Sequence, residues 1–362
     1  MSAQIAEDIA FDQDAAGTFA ETSADYLNAG AIAMMMSIGH RAGLFDAMAG
    51  LPPTTSTAVA ERAGLAERYV REWLAVMVVG GIVVHDADAR TYILPPEHAA
   101  SLTRGAPLGN LAVYAQLVAL MGAMQDRILA AFETGDGVHY DEYPHFHHVM
   151  AEDSGQTVKD QLFDTILPLA GGIATRMESG IDVMDAGCGR GAALLAMAHR
   201  YPASRFVGYD LCPDAIEFAT REAARAEIDN VRYEVRDLTY YDELNRFDFI
   251  TSFDAVHDQK HPQDLIRRLH RALKAGGTYL MQDIGGSAHL ENNKEFPMAA
   301  LLYAISCTHC TPVSLAQGGQ GLGTMWGWET AQSMLKEAGF ESVERHVLPH
   351  DPMNVWFVSR AT

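Results

Sequence analysis

Residues 181–192 read Ile181-Asp182-Val183-Met184-Asp185-Ala186-Gly187-Cys188-Gly189-Arg190-Gly191-Ala192. A short apolar run ends near an acid, glycine then recurs at every second position, and Ala192 opens an apolar helical stretch. Glycines at 187, 189 and 191 let the backbone turn sharply and approach a ligand without Cβ atoms in the way. The helix behind the loop aims its free N–H groups at that ligand. Outward from here the chain alternates. Strands are expected at 181–185, 205–210, 231–236, 247–252 and 278–283, with helices between them, and Pro213 and Pro262 each open a helix at its first turn. Such alternation predicts a parallel sheet covered by helices on both sides. Asp210 ends the second strand, where an acid can take both hydroxyls of a ribose. Asp237-Leu238 ends the third strand, next along the same edge, where an adenine ring would lie. Either acid alone reads as a loop cap; the ordered set reads as a nucleoside site.

Gly187 to Ala192 also satisfies the dinucleotide pattern with alanine in the third place, so a nicotinamide-dependent oxidoreductase is the rival reading. Context separates the two. A dinucleotide needs a second mononucleotide-binding half after the third strand. Here Leu273-Lys274-Ala275-Gly276-Gly277 precedes strand five, a long insertion follows, and Glu337-Ala338-Gly339-Phe340 leads to closing strands near 342–348 and 354–360.

On these residues the chain resembles the class I S-adenosylmethionine-dependent methyltransferases. Ahead of them, residues 57–94 read helix, turn, helix, hairpin, the order of a winged helix, and with it the chain is similar to the actinobacterial winged-helix methyltransferases, and more distantly to small-molecule O-methyltransferases. The resemblance implies a Rossmann-like α/β fold: a seven-stranded sheet with an antiparallel last strand, behind a mostly helical N-terminal domain. It implies S-adenosylmethionine as methyl donor, a small-molecule acceptor and a homodimer built by the N-terminal module. The donor site it implies comprises Asp185, Gly187, Cys188, Gly189, Gly191, Asp210, Leu211, Asp237, Leu238, Phe253 and Asp254.

The N-terminal region, expected as a domain over 1–106, carries the winged-helix order. A helical stretch spans 20–48, Thr57 can cap a short helix ending near Arg62, a second helix runs from Ala66 to Val79, and residues 82–94 read as a hairpin. DNA binding is the obvious use of such a module, but residues 1–100 hold 13 acids against 5 arginines and no lysine. A phosphate-contacting surface would be basic, so packing or dimerisation is the expected role and a nucleoside-sensing regulator the weaker alternative. The whole chain, with 47 acidic and 26 basic residues, excludes non-specific nucleic-acid or anionic-membrane binding on the same ground. Four cysteines in 362 residues make no disulfide framework and fit a reducing cytoplasm. Met1 to Asp14 lacks the basic start of a signal peptide, and no apolar run is expected to reach membrane-spanning length.

A helical connector is expected over 107–175, apolar from Leu108 to Phe132, with His145, His147 and His148 near a helix start. Three such neighbours cannot all face one ion, so no metal site is expected, and His145 is placed in the substrate pocket. The third domain, 176–362, holds the transfer site. After the fourth strand comes Phe253-Asp254-Ala255-Val256-His257-Asp258-Gln259. By resemblance to the His-Asp motif of O-methyltransferases, His257 is the candidate general base and Asp258 its companion. Gln259 stands where those enzymes usually carry tryptophan. The insertion 284–329 is rich in glycine and tryptophan and reads as a mobile lid, with His309 and Trp326 facing the substrate. Cys307 and Cys310 within it read as packed apolar thiols and not as a redox pair.

Overall fold

The structure, a computed structural model, describes residues 11–107 and 109–361. Residues 1–10, most of the expected non-signal N-terminus, lie outside the described residues, as does Leu108, the expected start of an apolar helix. The chain divides into two compact units, Met1–Ala119 and Leu120–Thr362. The division falls within the helix Ala112–Ala123, so the connector read over 107–175 contributes to both.

In the first unit, Asp12 caps a helix running Gln13–Arg41 by accepting the N–H groups of Asp14 and Ala15. Gly43, in the left-handed region, turns the chain into Leu44–Met48. The helix Ser56–Ala63 is capped by Thr55 and not by Thr57: Thr55 has extended backbone, and its hydroxyl accepts the Ala58 N–H. Helix Glu67–Val79 buries Val70, Trp73, Leu74 and Met77, one face at helical spacing. Strands β1 (Val84–Asp86) and β2 (Thr91–Ile93) pair antiparallel and complete the winged helix. Trp73 locks the core. Its ring passes over Gly39, where a Cβ would lie 2.6 Å from it, and its indole N–H donates to the Met35 carbonyl. The long helix leaves Phe19, Tyr26, Leu27, Met34 and Ile38 exposed.

The second unit is built on one sheet of seven strands: β3 (Asp182–Ala186), β4 (Arg205–Asp210), β5 (Val231–Val235), β6 (Phe247–Phe253), β7 (Leu273–Ile284), β8 (Ser342–Leu348) and β9 (Asp351–Arg360). Their order across the sheet is β5-β4-β3-β6-β7-β9-β8. β9 inserts antiparallel between β7 and β8, as the closing hairpin predicts. Side chains alternate between two cores. Val183, Phe206, Phe249, Leu280 and Trp356 face one; Met184, Val207, Ile250, Tyr279 and Phe357 face the other. The connector residues Leu162, Ile166 and Ile173 bury into the first core beside Met177, so that stretch is part of this unit's packing.

The insertion is more ordered than a loop-like lid. It forms helices Ala299–Ile305 and Thr311–Ala316, joined through a π-helical turn at Ser306–Cys310. Contrary to the expectation, these 18 residues, with mean hydropathy 1.3, are long and apolar enough to cross a membrane by length and composition. Their polar contacts are those of a helix packed in a protein. The Thr308 carbonyl accepts from Tyr143, the Pro312 carbonyl from the Val138 N–H, and the Ser314 hydroxyl donates to the Gln259 carbonyl.

Strand order reverses between β3 and β6, and an open α/β sheet binds its ligands outside the carboxyl ends of the strands at such a point. The glycine loop lies there. Gly191 has φ +73°, and a Cβ on it would lie 2.4 Å from the Tyr233 ring. Gly191→Ala therefore meets both a left-handed backbone and an occupied space, and should lower unfolding free energy by about 2–4 kcal/mol in chemical denaturation.

Candidate active site

The loop after β3 is held by its own backbone. The N–H groups of Gly187 and Cys188 both donate to the Tyr209 carbonyl, and Gly191 caps the helix Ala192–Arg200. Asp210 fastens this loop to the next one. One carboxylate oxygen accepts the Gly189 N–H at 2.8 Å and the other accepts the Cys212 N–H at 2.9 Å. Asp210 is thus a structural staple before it is a ribose ligand, and each oxygen keeps a lone pair for a diol. A Cβ on Gly187 would strike Ala255 at 2.5 Å, whereas one on Gly189 would meet nothing within 4 Å. The space beside Gly189 is left for a ligand.

That space opens into a cleft of about 1120 Å³ that includes solvent at its mouth. All eleven expected donor-site residues line it: Asp185, Gly187, Cys188, Gly189, Gly191, Asp210, Leu211, Asp237, Leu238, Phe253 and Asp254. Asp237 also caps the turn Leu238–Tyr240, accepting the Thr239 N–H. Tyr140, Phe146, His147 and Met150 line the cleft too, from the connector. The apolar and aromatic character of Tyr140, Phe146 and Met150 is shared by any helical core, so nothing in the sequence singles them out, whereas His147 belongs to the histidine group that the sequence places near a helix start.

Asp258 lines the cleft, but His257 lies behind the wall at 2% exposure. Its Nδ1 is 2.8 Å from Asp283 Oδ1, and its Nε2 is 3.2 Å from Asp258 Oδ1. Asp283, at the end of β7, also accepts the Trp326 indole N–H at 2.9 Å and was not legible as a site residue. Tyr140 donates its hydroxyl to Asp258 Oδ2. Asp254 completes the group, 3.8 Å from His257, with a φ of +52° that a non-glycine residue adopts only under constraint. Burial works against charge on His257, but Asp283 and Asp258 outweigh it and hold the imidazole well above its usual range. Burial, partly offset by His257, pushes the Asp254 carboxyl up to about 7.

Three pocket assignments need correction or relocation. Trp326 does not cover the cleft: it is 5% exposed, sits in the second core and spends its N–H on Asp283. His309 is buried, stacked on Phe146 at 3.8 Å between centroids, and burial lowers it to about 4, so it stays neutral. His145 lines a neighbouring cleft with His139, His147 and Arg190, in a left-handed conformation before the helix Phe146–Thr157. Cys307 is exposed and Cys310 buried, so only the second is a packed thiol.

Asp185 lies at the base of the glycine loop. Burial raises its carboxyl to about 7, against the Thr251 hydrogen bond and with the Asp210 charge adding to the shift. A folded-state value above the unfolded one means that this group's stabilisation is full below about pH 4 and is lost as pH rises through about 7. Asp185→Asn keeps the acceptor for Thr251 and removes the titration. Its thermal melts should show a flatter decline between pH 4 and 8 than the parent protein.

Residues 30–104 match the Rv2258c-like winged HTH domain, and residues 177–339 match a methyltransferase domain. Among curated proteins, Methyltransferase ungE' of Aspergillus campestris is 27% identical over 48% of this chain and 52% of its own length. The chain spans about half or less of the curated relatives it matches. Among solved structures, a Nostoc punctiforme protein described as a candidate O-methyltransferase superposes with a TM-score of 0.68 at 19% identity, covering 97% of this chain and all (100%) of that one. Human N-acetylserotonin methyltransferase, solved with S-adenosylmethionine, gives 0.64 at 16% identity, covering 98% and 99% of the two chains. At these identities the structures speak for the fold. Both domain matches, with the sheet order and the glycine loop in agreement, give a winged-helix domain at residues 30–104 ahead of a methyltransferase domain at residues 177–339.

Proposed function

We propose that the protein transfers a methyl group from S-adenosylmethionine to a small-molecule acceptor, with a hydroxyl as the favoured nucleophile. The observation that carries the donor assignment is the glycine loop stapled to Asp210 at the point where strand order reverses. The human neighbour's bound donor supports it. In this reading the loop and helix N-terminus hold the methionine end, Asp210 the ribose, and Asp237-Leu238 the adenine edge. The acceptor enters beside Tyr140, Phe146 and His147. Its oxygen attacks the methyl carbon as the carbon–sulfur bond breaks, which leaves a neutral thioether.

The acceptor proton needs a base at the cleft wall, and Asp258 is the carboxylate placed there. Beside it at the cleft wall stands Asp254, and behind it stand the His257 imidazole and the Asp283 carboxylate. His257, already charged, is a poor acceptor alone. The cluster has carboxylate capacity to spare, and the role expected of His257 passes to the group, with His257 orienting Asp258. A positioned base contributes about 10²–10⁴-fold. His257→Ala and Asp258→Asn should each lower turnover of a hydroxyl acceptor within that range and leave S-adenosylhomocysteine affinity unchanged. Turnover within a factor of a few of the parent would remove base catalysis from the reading.

The donor is tested separately by calorimetry, where S-adenosylhomocysteine should bind and NAD(H) should not. Asp210→Ala should weaken that binding by about 1.5–3 kcal/mol, the range of charge-assisted hydrogen bonds. Binding of NAD(H) alone would overturn the donor assignment.

The working form is a homodimer joined through the first unit. Supporting this is the row of exposed apolar side chains, Phe19, Tyr26, Leu27, Met34 and Ile38, along one long helix. Light scattering at micromolar concentration should report twice the chain mass, and an interface of that kind buries upwards of roughly 2,000 Å².

A further inference from the structure

We propose that Asp254 is the residue by which the cleft tells the cationic sulfonium donor from its neutral thioether product. The inference deepens the methyl-transfer reading and rests on it for the identity of the donor. S-adenosylmethionine and S-adenosylhomocysteine share their adenosine, carboxylate and ammonium groups. They differ by one methyl and by the positive charge on sulfur. A site that favours the donor by charge must present a carboxylate where that sulfur lies. The sulfur bonds the methionine chain, the ribose and the methyl. In the reading above these belong to the glycine loop, to Asp210 and to the Asp258 side of the cleft, so the sulfur lies where the three meet. Asp254 stands at that junction. It directly follows β6 and lines the cleft, and its neighbour Ala255 packs on Gly187, where an added Cβ would come within 2.5 Å of it.

The backbone is constrained to hold this carboxylate in place. Asp254 has φ +52°, and its N–H donates to the Gln282 carbonyl of β7 at 3.0 Å, which pins the left-handed turn. Its Oδ1 is buried and accepts no hydrogen bond among the described residues. His257 Nδ1 stands 3.8 Å from it and is already held by Asp283 at 2.8 Å. The Asp254 side chain is 22% exposed, and with Oδ1 buried that exposure belongs to the rest of the side chain, on the cleft. A buried carboxylate oxygen without a donor is costly, and a cation in the cleft gives it a partner.

The surrounding charges leave that place to a single positive charge. Facing Asp254 are His257 and Asp258 on its own loop, Asp283 of β7 and Asp153 of the helix Phe146–Thr157. The one imidazolium is nearer to Asp283 and Asp258, at 2.8 and 3.2 Å, than to Asp254. Among the described residues that line the cleft, five aspartates, Asp254 and Asp258 included, stand against two arginines, Arg190 and Arg236. Arg236 is engaged by Glu243 at 2.8 Å, and Arg190 lies over the Phe218 ring. The charge that arrives with the donor is lost in the reaction. As the methyl passes to the acceptor, the electron pair of the carbon–sulfur bond stays on sulfur, and Asp254 is left facing a neutral thioether. Asp254 therefore acts on donor retention and product release and not on the transfer step, because its attraction weakens as the transition state forms.

The test needs no acceptor and no turnover. Calorimetry at pH 8, where a carboxyl pushed up to about 7 is ionised, gives the affinities of S-adenosylmethionine and S-adenosylhomocysteine. They are measured on the parent protein, on Asp254→Asn and on Asp254→Gly. Asparagine and glycine both accept left-handed backbone, so the loop is kept. Each substitution should weaken the donor at least about tenfold and change the product by less than about twofold. Sinefungin, which carries an amine in place of the methylsulfonium, should follow the donor. Asp237→Asn, at the adenine edge, should leave the ratio of the two affinities unchanged. Product affinity retained in a variant shows that its fold survives. Equal weakening of donor and product in both Asp254 variants would place Asp254 on a group the two ligands share and overturn the proposal, with the donor assignment intact. An unchanged ratio would overturn it too, as would sinefungin following the product, which would make the methyl contact and not the charge decisive. A parent protein that binds neither S-adenosyl ligand would overturn the donor assignment itself, and this inference with it.

Discussion

One carboxylate ties the donor site together. Asp210 takes the N–H of Gly189 with one oxygen and that of Cys212 with the other, so two loops that leave neighbouring strands are fixed to a single rigid group. Both donors are backbone, so loop positions are set without help from their own side chains. Left-handed backbone at Gly187, Gly189 and Gly191 depends on that tie, because a glycine-rich segment otherwise has the largest conformational entropy to lose. The arrangement also fixes the direction of the helix Ala192–Arg200, whose unpaired N–H groups face the cleft.

This explains why the residues that line the glycine-loop cleft could be named from the sequence. Its determinants are local: a strand, a glycine loop, a helix start, and an acid at the end of each of the next two strands. Each leaves a residue-type signature at a spacing set by strand and helix length. The parallel sheet and its antiparallel closing strand were legible for a related reason, since alternating elements leave few topologies open.

The acceptor half was not legible in the same way. Asp283 looked like the polar end of an apolar strand, and Tyr140 like one more aromatic residue in a connector. Their pairing with His257 and Asp258 is set by tertiary packing across 26 and 118 positions of sequence. Trp326 misled for the opposite reason. A tryptophan among glycines suggests a mobile cover, but its ring fills the second core and its N–H satisfies a buried carboxylate. Composition shows that a segment can bend; it does not show which buried acceptor is waiting for a donor.

The π-helical turn at Ser306–Cys310 carries a consequence for how this site can change over time. A π-turn is an α-helix with one residue too many, and the surplus shifts every later side chain around the axis by about a quarter of a turn. His309 and Cys310, the last two residues of that turn, are buried. Loss of a single codon in 306–308 would restore regular winding and turn both residues around the helix axis, with little effect on the sheet. Insertions and deletions in this short stretch are therefore a lever on the acceptor end alone. Lineages that share the same donor-binding frame can diverge in their acceptor chemistry by gaining or losing one residue here.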